Sequence, residues 1–189
     1  QTLTKVTLPE SVTAIGDKAF ERCGKLVTIS GPIALQKIGA SAFAFCESLQ
    51  EVPVWATLTE VGDYAFESCS SLQMLNFPSL KKMGVGSFEG CCHLSSFVFA
   101  ATLTNIPEKA FMKDEKLINI ALPDNLEKIG PRAFCDCSSL DNLKLPSSLT
   151  SVGGFAFLGA APLTIHVNKK DCDKGWDKHW KRKHRLLFN

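Results

Sequence analysis

The stretch from Ala14 to Leu26, AIGDKAFERCGKL, returns from Lys37 to Leu49 as KIGASAFAFCESL and from Glu60 to Leu72 as EVGDYAFESCSSL. Four more versions follow: KMGVGSFEGCCHL, NIPEKAFMKDEKL, KIGPRAFCDCSSL and SVGGFAFLGAAPL. Their shared phenylalanines are Phe20, Phe43, Phe66, Phe88, Phe111, Phe134 and Phe157, in steps of 23, 23, 22, 23, 23 and 23 residues. A fixed period of this length marks a stack of supersecondary units, each too small to bury its own apolar face. The bias to thirteen Phe against one Tyr and three Trp follows from it, because one phenylalanine position is used over and over.

Working outward, each phrase is preceded by an alternating, β-branched stretch such as LTKVTLP, LQEVPVW, LINIALP or LDNLKLP, mostly closed by proline. These read as short parallel strands with a turn at the proline. An extended arm follows at V-x-x-I-G, and then a short helical turn through A-F-x-x-C. The glycine after the Ile column marks a corner that needs positive φ or close packing, with Pro107 as its exception. Like residues then lie above like, roughly 4.8 Å apart where strands pair, and ladders of Leu, Ile, Phe and Cys form one core. The short step between Phe66 and Phe88 is absorbed in the turn at Pro78-Ser79-Leu80.

This unit, with its 23-residue period and its I-G-x-x-A-F-x-x-C signature, resembles that of the BspA-like leucine-rich repeat proteins over about Leu3 to Leu163. The closing segment KKDCDKGWDKHWKRKHRLLFN is similar to the Trp-containing ends of such arrays. The resemblance implies an α/β solenoid, a right-handed superhelix of seven repeats with a parallel β-sheet on its concave face. Residues 1–163 would form the solenoid and 164–189 a C-terminal cap. The resemblance also implies a secreted or cell-surface microbial protein that binds host matrix or cell-surface ligands. Departures from the pattern are Asp114 and Ala160 in the Cys column and Trp55 and Ala100 in the Pro column, each expected to alter the surface locally.

No apolar run approaches the roughly 18 residues of a membrane span, and no signal peptide is recognisable. Because Gln1 opens directly on a strand-like phrase, a processed or truncated product is expected. The net charge of +2 is uneven: Asn168 to Asn189 hold eight Lys or Arg against three Asp, and the rest holds thirteen against sixteen acidic residues. That balance argues against a nucleic-acid-binding body and leaves Lys181, Arg182 and Lys183 as a basic patch for polyanions. Trp176 and Trp180, four residues apart, suit a cap with one buried face.

Cys23, Cys46, Cys69, Cys91 and Cys137 share one column and read as small buried hydrophobes rather than disulfide partners. Cys91-Cys92-His93, Cys135-Asp136-Cys137 and the tail's Cys172, His179 and His184 lack zinc-site spacing, so no metal is expected. No nucleophile elbow, phosphate loop or helical His pair occurs, so neither catalysis nor a cofactor is expected. A ligand surface is sought instead on the outward strand columns. One runs Lys5, Thr28, Glu51, Met74, Ser96, Asn119, Asn142 and the other Thr7, Ser30, Pro53, Asn76, Val98, Ala121, Lys144. Trp55, Met74 and Val98 stand out as apolar among small polar neighbours. They form the expected protein-binding patch, with Glu51 and Asn76 as its polar rim; the competing reading folds Trp55 onto Pro53 or Pro78. Two settings stay open, a surface adhesion module and an intracellular scaffold for a protein partner, and exposed terminal rungs make self-association a further expectation.

Overall fold

The computed structural model describes residues 2–31, 34–118, 120–168, 170, 176–180 and 184–188. The chain winds as a parallel-strand solenoid of about eight turns. Each full turn has a face strand, an arm strand and a long corner. The face strands are β1 (Lys5–Thr7), β3 (Thr28–Ser30), β6 (Met74–Asn76), β8 (Ser96–Val98), β11 (Asn142–Lys144), β13 (Thr164–Val167) and β14 (Arg185–Phe188). The arm strands are β2 (Ala14–Ile15), β4 (Lys37–Ile38), β5 (Glu60–Val61), β7 (Lys82–Met83), β9 (Asn105–Ile106), β10 (Lys128–Ile129) and β12 (Ser151–Val152). All pairings are parallel and in the register that the repeat sets, Val6 on Ile29 and Ile15 on Ile38 for example. Between β6 and β8 the register drops to 22 residues, Met74 facing Ser96, as the short unit requires. The face sheet continues past residue 163 through β13 and β14, and Trp176 and Trp180 are buried beside it, edge to face at 5.1 Å.

The expected helical turn is absent, and no α-helix occurs among the described residues. Each corner carries two residues in the left-handed region. Lys18 and Arg22, Ser41 and Phe45, and Lys109 and Lys113 are such pairs, all with φ between 53° and 67°. An α-helix cannot pass through such residues. Amides instead alternate between partners. Ala19, Glu21 and Cys23 close three-residue turns onto Gly16, Lys18 and Phe20, while Lys18, Phe20 and Arg22 donate to Ala40, Ala42 and Ala44 on the next turn at 2.7–2.9 Å. The corner is thus a third inter-turn ladder, and the α/β description is corrected to a solenoid of strands and turns.

The corner glycine is demanded by packing, not by φ. A Cβ on Gly62 would stand 2.6 Å from the Ala40 backbone nitrogen, whereas one on Gly16, on the first turn, meets nothing. Gly39, Gly62, Gly84, Gly130 and Gly153 each donate an amide to the arm strand before them. Pro107 has no N–H to donate, and the arm sheet divides there into β2-β4-β5-β7 and β9-β10-β12.

Inside the corner, the repeat phenylalanines stack ring on ring and the column cysteines donate their thiols to the phenylalanine carbonyl of the turn before. These are Cys46 to Phe20, Cys69 to Phe43, Cys91 to Phe66 and Cys137 to Phe111, at 3.1–3.2 Å. Burial pushes the Cys46 thiol up to about 12 and the deeper ones higher, so all stay protonated. The column cysteines are free. Asp114 occupies this column fully buried, with neither carboxyl oxygen hydrogen-bonded among the described residues. Burial drives its pKa well above the usual carboxylate range, the nearby Cys91 and Gly90 amides opposing only in part. Asp114, Trp55 and Ala100 are therefore core positions rather than local changes of surface.

Candidate functional site

Outward side chains of the face strands alternate with core residues, which places Met74 and Val98 in solvent at 62% and 48% exposure. They sit on adjoining turns, since Met74 pairs with Ser96 and Asn76 with Val98. Glu51 is exposed on the turn before, bridged to Thr28. Asn76 is half-buried, and its amide oxygen is sealed from solvent without a hydrogen bond. Lys181, Arg182 and Lys183 lie outside the described residues, as does Asn119.

Trp55 is a correction. Its side chain is wholly buried, its ring stacks on Phe77 at 6.0 Å, and its Nε1 donates to the Gly31 carbonyl at 3.1 Å. Neither Pro53 nor Pro78 is the cause. Pro53 cannot donate to a strand ladder, and the strand is not assigned beyond the bridge at Glu51. The alternation then slips by one residue, which reverses the two faces. Val54, in a column that is buried as Phe77 and Leu145 elsewhere, turns out to 57% exposure, and Trp55 turns in. Gly31, in the same column one turn earlier, has no side chain to oppose it. The exposed apolar set on this face is accordingly Val54, Met74 and Val98. A proline inside a strand pattern was the signal for Val54.

The face is interrupted again at Ile120–Leu122. These residues are not strand, and their peptide groups make no hydrogen bond among the described residues. On one side lies β8, which pairs with β6, and on the other β11, which pairs with β13. The gap is a groove of about 740 Å³. Phe97, Phe99, Ile120 and Leu122 line it with Val98 and Ala121, and Asp124 and Lys144 add one charge of each sign. Sequence reasoning missed the groove because LINIALP has a regular strand pattern. No cluster of three or more His, Cys, Asp or Glu suited to a metal ion occurs among the described residues.

Residues 1–118 and 104–174 match the BspA type leucine rich repeat region, in six copies. A leucine-rich repeat protein of Bacteroides ovatus is similar to the chain at 27% identity and TM-score 0.69, over 98% of this chain and 52% of its own. One of Eubacterium ventriosum is similar at 26% identity and TM-score 0.71, over 84% of this chain and 43% of its own. A protein of Faecalibacterium prausnitzii described as a leucine rich cell surface protein shares the fold at 23% identity and TM-score 0.58, over 86% of this chain and 59% of its own. This chain spans about half the length of the first two. No curated protein matches it.

Proposed function

Since the chain belongs to the BspA type leucine-rich repeat family, we propose that it is a non-catalytic protein-binding module that adheres to matrix or cell-surface proteins through its strand face. The observation that carries this reading is the exposed apolar set Val54, Met74 and Val98, beside an apolar groove, on a face that is otherwise small and polar. Such sites concentrate binding energy, and methionine adapts to the shape of its partner. Secretion or surface display is the setting that the family suggests. No helix among the described residues is long and apolar enough to cross a membrane.

The test is a binding screen of the purified chain against matrix proteins and glycans, repeated with Met74→Glu and Val98→Glu. Saturable protein binding that both variants weaken by about tenfold or more supports the proposal. Binding that both leave intact, or none, removes it. Heparin retention lost on replacing Lys181, Arg182 and Lys183 by alanine would add a polyanion contact to this reading; no retention at low salt sets it aside.

A further inference from the structure

The groove at Ile120–Leu122 joins three properties that point to one kind of occupant. Its volume, about 740 Å³, exceeds what one side chain fills, and it exposes residues of core type: Phe99, Ile120 and Leu122 are only half-buried where the same columns elsewhere are sealed. Three consecutive peptide units, Ile120, Ala121 and Leu122, form no hydrogen bond among the described residues, although peptide groups at such depth ordinarily find partners. Finally, Lys144 and Asp124 both line the groove, and neither has an ion pair among the described residues.

We propose that this groove binds an extended segment of a partner polypeptide, whose main chain pairs with Ile120–Leu122 and whose large apolar side chain enters between Phe97, Phe99, Ile120 and Leu122. An acidic residue of the segment meets Lys144 and a basic one meets Asp124. The inference rests on the protein-binding reading and adds the form in which the ligand is recognised. Main-chain pairing supplies affinity and the apolar pocket supplies selectivity, as in strand addition at a sheet edge; here the opening is inside the sheet. A compact apolar ligand would fill the pocket but leave the peptide groups of Ile120–Leu122 and both charges without partners.

The probe is a set of capped nine-residue Thr/Val peptides titrated into the full chain. They carry Phe or Ala at the centre, with Lys and Glu flanking it in either order, and a further copy of each is N-methylated at alternate residues. One charge order with central Phe is expected to bind about tenfold or more tighter than its Ala version. N-methylation should remove most of that affinity. Ala121→Trp, at an exposed position of the groove, should abolish binding, and Lys144→Glu should reverse the preferred charge order, while Met74→Glu changes neither. Equal binding of Phe and Ala peptides, indifference to N-methylation, or binding unchanged in both Ala121→Trp and Lys144→Glu overturns the inference. If the peptides fail while Met74→Glu still weakens a matrix protein, the groove proposal falls and the protein-binding reading stands. If the peptides bind and no protein in the screen does, the reverse holds.

Discussion

At the corner, the rings of Phe20, Phe43, Phe66, Phe88, Phe111, Phe134 and Phe157 stack without interruption at 5.1–5.7 Å. The strand face is paired, opens after Glu51, is paired again, and opens at Ile120–Leu122. The same chain and the same period built both walls, so the difference lies in what each side chain touches. A corner residue has a copy of itself on either side and no solvent, and one misfit disturbs two neighbours. An outward residue on the face has solvent on one side, and there only the backbone must repeat. Variation that the corner forbids therefore collects on the face, where it makes a surface.

The largest expected effects come from removing large rings. Phe111→Ala should cost about 3–5 kcal/mol, read as a lower urea midpoint. Trp55→Ala should cost a similar amount, although Trp55 belongs to the face by sequence; a loss below about 0.5 kcal/mol would mean that its burial contributes little. Next comes the one buried acid of the corner. Asp114→Cys restores a thiol within reach of the Phe88 carbonyl and removes an unpaired buried carboxyl, so a gain of about 1–3 kcal/mol is expected at pH 7. The sign of the pH dependence sharpens this. The folded pKa of Asp114 is raised, so the folded chain keeps a proton that the unfolded chain loses near pH 4. Its contribution is most favourable below that point and declines as pH rises toward the folded value. Urea titrations at pH 5 and pH 8 should accordingly show a gain from Asp114→Cys that grows with pH, and a constant gain would remove the ionisation argument.

Smaller still is the strain of the left-handed positions. Lys113→Gly relieves a φ of 67° at the expense of a freer unfolded chain, for a net gain of about 0.5–1 kcal/mol. Smallest is Met74→Ala, expected within about 0.5 kcal/mol of the parent. If it matched Trp55→Ala, the contrast between the walls would be lost.

The solenoid, its register and the site of the missing residue at Pro78-Ser79-Leu80 were legible in the sequence, because a ladder repeats its residues at a fixed step. So was the exposure of Met74 and Val98, which follows from alternation within a strand. The corner was not. A-F-x-x-C has the spacing of a helical turn, and nothing in Lys18, Phe45 or Lys113 announces a left-handed backbone; that conformation arises because alternate amides must reach the adjoining turn.

The sequence by itself determined which columns stack, since the identity of a column is a one-dimensional property that the period carries. Only the tertiary structure decided which way Val54 and Trp55 point, how deep Asp114 lies and where the face opens. Those outcomes depend on the space left by residues about 23 positions away, Gly31 beneath Val54 above all, and on hydrogen bonds that form or fail between turns rather than within them.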